Sequence, residues 1–143
     1  MIYTEIISGL WVGDIQTMST KQFLQDQSIT YILNCCQGIP IPEVEGIQVS
    51  CLGLSDQLIH NMRFFKQHHQ QLLTHIHSLL DDHNVLIGCY DGQTLSTYLA
   101  CLYLVRYGSI QSRDVKSMIL SKNPQLSMDF DISLLHLESL PYE

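Results

Sequence analysis

The residues best placed to do chemistry lie in one stretch, VLIGCYDGQTLS, from Val85 to Ser96. An apolar run of strand character, Val85 to Ile87, leads into Cys89 and a short polar loop containing Gly92, and an apolar helical stretch follows from Thr94. A strand, a tight loop and a helix in that order aim loop N–H groups and the positive end of the helix dipole at one spot, which makes a receptor for phosphate or another anion. The same field favours the thiolate of a cysteine at the mouth of such a loop, so Cys89 is a candidate nucleophile.

Cys89, Gly92 and Ser96 stand at the spacing of the cysteine, glycine and serine in the His-Cys-x-x-Gly-x-x-Arg-Ser signature, and the chain resembles a small dual-specificity phosphatase. Further landmarks cover nearly the whole chain: Gly9-Leu10-Trp11-Val12-Gly13 resembles the family's opening strand, and Ile29 to Asn34 the strand that ends in Leu-Asn. Asn61 and the pattern Phe130-x-x-x-Leu134-x-x-Leu137-Glu138 also fit. The resemblance implies an anion loop made of Cys89, Tyr90, Asp91, Gly92, Gln93, Thr94 and Leu95. It also implies a general acid at Asp56, and a helper at Ser96 for departure of the cysteine from a phosphoenzyme. Two departures bear on activity. Gly88 occupies the histidine position and Leu95 the arginine position, and leucine offers neither the fork of donors nor the charge that grips two phosphate oxygens. Asp91 adds a negative charge beside the pocket and is not counted as a defect, because acidic residues occur there in active members.

Each candidate also has a plainer reading. Cys89 is then a buried cysteine at the end of a core strand, Asp56 a solvated loop carboxylate, and Ser96 a hydroxyl of the first helical turn. Without the histidine and the arginine, the Cys89 pKa is expected to be less depressed than in an active enzyme. Cys35, Cys36, Cys51 and Cys101 read as small core residues, and Leu95 as apolar surface at the floor of the site, packing where a guanidinium would cross.

The formal charge of −7 argues against a nucleic-acid partner. None of the seven basic residues lies between Lys66 and Arg106, so the anion loop receives no permanent positive charge from its own segment. Arg106 follows Leu95 on the same helix, roughly 16 Å further along its axis at 1.5 Å per residue, which leaves Arg63, Arg113 or a lysine as substitutes only if the fold carries one there. Five cysteines without regular spacing argue against a disulfide framework and for a reducing, intracellular compartment, cytoplasmic or also nuclear. The longest apolar run, Tyr98 to Val105, is too short for a membrane span. Seven histidines invite a metal, but His68 with His69, and His75 with His77, lack the i, i+4 spacing of a helical pair, so no metal and no cofactor is expected and the histidines read as a solvated face.

The elements that must position the loop follow from periodicity. Ile2 to Val12 reads as one or two strands turning at Ser8-Gly9; Ser19 is expected to cap a short helix carrying Phe23 and Leu24; Thr30 to Cys36 reads as a strand buried on both faces. Gln37 to Gly46, with Pro40 and Pro42, is a loop, and Ile47 to Leu52 a strand leading to Asp56. Asn61 to Asp82 has the apolar spacing of an amphipathic helix that returns the chain for a parallel strand at Val85 to Cys89. Thr94 to Tyr107 is a buried helix closed by Gly108. Ser112 is expected to cap a helix that Pro124 stops, and a last helix runs from Ser127 or Met128 to about Leu140.

The expectation is one α/β domain over 1–143: a central, mostly parallel sheet flanked by helices, with the anion loop between a strand and a buried helix at the C-terminal ends of the strands. A transition-state donor is worth roughly 2.7–4 kcal/mol, and a phosphoryl-gripping arginine about 10³–10⁵ in rate. The expected function is therefore that of a pseudophosphatase acting by protein binding, as scaffold, competitor or protector of a phosphoprotein. Its partner would be that phosphoprotein or an active phosphatase's substrate. The alternative is a weak or specialised phosphatase that uses Cys89 and Asp56 with positive charge supplied from elsewhere. A third reading, in which the fold serves only self-association, leaves the oligomeric state open.

Overall fold

The computed structural model describes residues 1–137. The chain opens with β1 (Tyr3–Ile7) and β2 (Leu10–Gly13), then two short helices, α1 (Ile15–Ser19) and α2 (Lys21–Asp26). β3 (Tyr31–Cys36) and β4 (Gln48–Leu54) follow, then a 3-10 turn at Leu58–Asn61 that runs into α3 (Met62–Leu79). β5 (Val85–Gly88), α4 (Leu95–Tyr107) and α5 (Ser112–Lys122) complete the regular elements, with a final 3-10 turn at Ile132–Leu135.

The strand order is β1-β2-β5-β3-β4. β5 lies parallel to both neighbours, with Val85 opposite Leu10 and Tyr31, and Gly88 opposite Gly13 and Asn34; only β1 runs antiparallel. The C-terminal ends of β2, β3, β4 and β5 therefore emerge on one edge, and the 89–95 loop leaves the middle of it. β3 and β5 are buried along their whole length because helices cover both faces of the sheet. Phe65, Leu73 and Ile76 of α3 and Val115 and Ile119 of α5 share one core with α4; Met18, Phe23 and Leu24 form a second on the opposite face. α4 is buried from Leu95 through Leu104, as its nearly uniform apolar sequence requires.

The expected α/β architecture is the one observed; the differences lie in caps and in the C-terminal segment. Ser19 ends a separate short helix, α1, which Asp14 starts by accepting the Thr17 N–H on Oδ1 at 2.8 Å, so the N-cap of α2, the helix that carries Phe23 and Leu24, falls one residue later, on Thr20. Gln111, not Ser112, sits at the N-cap of α5. Gly108 closes α4 with φ −95°; its value is steric, since a Cβ there would meet the Leu104 carbonyl oxygen at 2.8 Å, and the left-handed residue is Ser109.

No helix begins at Ser127 or Met128, because side chains of the preceding helices and loop pin this segment's backbone instead of i−4 partners. Gln93 Oε1 accepts from Ser127 N, Lys116 Nζ donates to Phe130 O, and Tyr98 Oη donates to Leu134 O. The stretch from Glu138 towards Leu140 lies outside the described residues. All five cysteines are free thiols, and Cys51 is exposed rather than in the core, since it sits on the edge strand β4.

His68, His75 and His77 are exposed, as a solvated face requires, whereas His69 and His83 are half-buried: His69 Nδ1 lies 2.9 Å from the Phe65 carbonyl oxygen and His83 Nδ1 2.9 Å from Thr30 Oγ1. Among the described residues, no helix is long and apolar enough to cross a membrane, and no three His, Cys, Asp or Glu side chains gather where they could hold a metal ion.

Candidate functional site

Cys89 follows the last residue of β5, and its N–H donates to the Gly13 carbonyl on β2 at 3.0 Å. That bond draws the cysteine down into the sheet. Only 1% of it is exposed, so it does not stand at the loop mouth as the sequence suggested. Its Sγ lies 3.1 Å from Ser96 Oγ and 3.4 Å from Asp91 Oδ1. A carboxylate can only accept, so the thiol proton is directed at Asp91, and the Ser96 hydroxyl is left to donate to sulfur.

Burial pushes the Cys89 thiol up. The Ser96 hydroxyl and N–H draw it down, the Asp91 charge pushes it up again and the Thr94 N–H lowers it; the net displacement is upward. The expectation of a merely less depressed thiol is thus corrected to a raised one.

Asp91 contributes most to the site that the sequence did not reveal. Its Oδ1 accepts from Gln93 N at 2.9 Å and Thr94 N at 3.1 Å, and its Oδ2 from the Thr94 hydroxyl at 2.8 Å. Burial alone would raise the carboxyl, but these donors and the Cys89 thiol outweigh it and hold Asp91 below the usual carboxylate range. Two N–H groups of the anion loop are therefore spent on the loop's own anion. The sequence signal was Asp-Gly-Gln-Thr, in which an aspartate two and three residues before free N–H groups forms a local turn. Gly92 makes the turn possible, with φ +69° and so little room that a Cβ would meet the Asp14 nitrogen at 2.7 Å.

Leu95 and Gly88 both turn inward. Leu95 is 1% exposed and packs in the same core cluster as Cys89, where it offers the loop neither a charge nor a donor. A Cβ on Gly88 would lie 2.0 Å from Met18 Sδ, and Met18 is fully buried. Met18 therefore occupies the space a histidine at position 88 would need.

Asp56 lies exposed on the loop after β4, on the same edge of the sheet. The buried Asn61 clamps that loop: its Oδ1 accepts from Ser55 N at 3.0 Å, and its Nδ2 donates to Ser55 O at 2.8 Å and Gln57 O at 2.9 Å. Tyr90 ties the two loops together, since its hydroxyl donates to Leu54 O at 2.8 Å and accepts from Gln37 N at 2.6 Å. The Cys89 and Asp56 loops are thus braced against each other.

Three of the candidate substitute cations have partners of their own: Arg106 lies over the Tyr107 ring, Arg113 pairs with Asp114 on α5, and Lys116 donates to Phe130 O. Arg63 is exposed in the first turn of α3.

A five-stranded sheet with this order, carrying a cysteine loop between its central strand and a buried helix, is the dual-specificity phosphatase fold. Among solved structures, human DUSP28 matches with a TM-score of 0.79 and 16% identity over 93% of this chain and 92% of that one. The human tyrosine phosphatase-like serine/threonine/tyrosine-interacting protein matches with a TM-score of 0.68 and 18% identity over 94% and 91%. In sequence, dual specificity protein phosphatase 22-A of Danio rerio is 28% identical over 102 residues, which are 71% of this chain and 47% of that protein; the match thus spans about half the relative's length. No family model matches the chain. The neighbours in sequence and in structure are thus dual-specificity phosphatases, as the Cys89 spacing suggested.

Proposed function

We propose that this chain is a pseudophosphatase: it keeps the phosphatase fold, lacks effective phosphoryl transfer, and acts by protein binding as scaffold, competitor or protector of a phosphoprotein. The observation that carries this reading is that the anion loop is filled from within. The Asp91 carboxylate holds the Gln93 and Thr94 N–H groups, while Leu95, at the position of the gripping arginine, is packed in the core. A dianionic ester meets a negative charge where it needs donors, and a thiol whose raised pKa leaves little thiolate at neutral pH. The loss of one charged transition-state donor is worth about 10³–10⁵ in rate. The existence of a fold neighbour named as a phosphatase-like interacting protein agrees with this use of the architecture.

The test is a repair series assayed on an aryl phosphate. Wild type, Leu95→Arg, and Leu95→Arg with Asp91→Ala are compared, then the last with Gly88→His and Met18→Ala, because Met18 must make room for the imidazole. Hydrolysis is expected only in the repaired forms. The second reading, a weak phosphatase using Cys89 and Asp56, draws on the 3.1 Å Cys89–Ser96 contact and the clamped Asp56 loop. Wild-type turnover abolished by both Cys89→Ala and Asp56→Asn would establish it instead.

A further inference from the structure

The two edges of the sheet are built differently. β1 is guarded: Glu5 is exposed in mid-strand, the register slips between Glu5 and Ile7, and Asn123 Nδ2 donates to Tyr3 O at 3.4 Å and Thr4 Oγ1 at 3.1 Å. Charges, irregularities and covering groups of this kind keep an edge from pairing with other chains.

Among the described residues, β4 has no such guard. It is the longest strand, seven residues, QVSCLGL, with neither charge nor proline. Gln48 N donates to Thr30 O, just before β3, so the alternation of a strand turns the N–H and C=O groups of Val49 and Cys51 outward. Val49 is 40% exposed and Cys51 is exposed beside it. Ile41, Ile47 and Val49 line a groove of about 690 Å³ along this edge, and the charged residues on it, Glu43 and Glu45, are both acidic.

We propose that β4 is a docking edge for an extended segment of a partner protein that alternates apolar and basic residues. The segment would add a sixth strand beside β4, with its main chain bonded to Val49 and Cys51, its apolar side chains in the Ile41–Ile47–Val49 groove and its basic ones facing Glu43 and Glu45. A second copy of this chain is disfavoured as occupant, because it would set Glu43 and Glu45 against their own copies. The inference supplies a partner chemistry for a binding protein and stands whether or not Cys89 turns over phosphate.

The probe is the peptide acetyl-Lys-Val-Lys-Val-Thr-Val-Lys-amide, compared with its glutamate-for-lysine counterpart on the full chain. Two readouts serve: amide shift mapping, and the rate at which iodoacetamide alkylates Cys51. The lysine peptide is expected to move the Val49 and Cys51 amides and slow Cys51 alkylation, whereas the glutamate peptide does neither. Val49→Pro deletes an outward donor without touching the β3 ladder and is expected to weaken binding about tenfold. Should that variant fold poorly, Glu43→Lys with Glu45→Lys leaves the strand intact and is expected to reverse the preference between the peptides. Equal binding of both peptides, shifts that map away from β4, unchanged affinity in a folded Val49→Pro, or a dimer paired through β4 in light scattering would each overturn the proposal.

Discussion

Replacing Asp91 by alanine separates the two jobs its carboxylate holds. The side chain holds the turn into α4 by accepting from Gln93 N and Thr94 N, and Thr94 at the N-cap makes no side-chain capping bond to the helix. Loss of a capping interaction costs about 0.5–2 kcal/mol; because Asp91 is exposed, the lower half applies, about 0.5–1 kcal/mol, or about 1–4 °C in melting temperature for a chain of this size. The same change empties the donors that an oxyanion needs.

A phosphate oxygen about 4 Å from the carboxylate suffers about 1 kcal/mol of repulsion per charge pair in bulk water and about 4 at an effective dielectric of 20. Asp91→Ala should therefore bind tungstate or phosphate about five- to a thousandfold more tightly than wild type. Leu95→Arg alone should gain far less, and the two together more than the sum of the singles. The assay is isothermal titration with tungstate alongside a melting scan. Equal anion affinity in wild type and Asp91→Ala, with the melting temperature lowered as expected, would refute the claim that Asp91 blocks the loop. On the acid side, the depressed Asp91 pKa means that its stabilisation is full above the usual carboxylate range and lost as pH falls below about 4, a limb that Asp91→Asn should flatten.

Gly88→Ala should destabilise by about 1–3 kcal/mol through overpacking against Met18, and a second change, Met18→Ala, should cancel part of that cost in a urea double-mutant cycle. Asn61→Ala strands the Ser55 and Gln57 backbone groups, so a loss of about 1–3 kcal/mol is expected, with faster amide exchange across 55–57; unchanged exchange there would show that the clamp is not what holds the Asp56 loop. With iodoacetamide at neutral pH, the first adduct should form on Cys51. Cys89 should react only on unfolding or well above the ordinary thiol range, which peptide mass mapping would read directly.

What was legible in the sequence is what long apolar periodicity encodes. The run Thr94 to Tyr107 could only be a buried helix, the largely apolar Thr30 to Cys36 only an inner strand, and together they put Cys89 at the C-terminal edge of a mostly parallel sheet. Caps were less legible because several polar residues compete within a turn: Thr20 rather than Ser19 sits at the N-cap of α2, and Gln111 rather than Ser112 at that of α5. The C-terminal segment misled for another reason. Its apolar spacing suits a helix, but its carbonyls and N–H groups are claimed by Tyr98, Lys116 and Gln93, residues distant in sequence.

At the site, the absence of an arginine at Leu95 and of a histidine at Gly88 could be read directly. What replaced them could not. Met18 filling the space above Gly88 is a contact across 70 positions with no local signature, and Asp91 was read as a bystander because its charge was weighed without the N–H groups two and three residues on.

The most direct measurement is single-turnover hydrolysis of an aryl phosphate by the wild-type chain beside Cys89→Ala. The expected result is the same rate in both, indistinguishable from buffer, with no phosphorylated cysteine trapped on quenching. A wild-type rate well above that of Cys89→Ala, or a phosphocysteine at position 89, would contradict it.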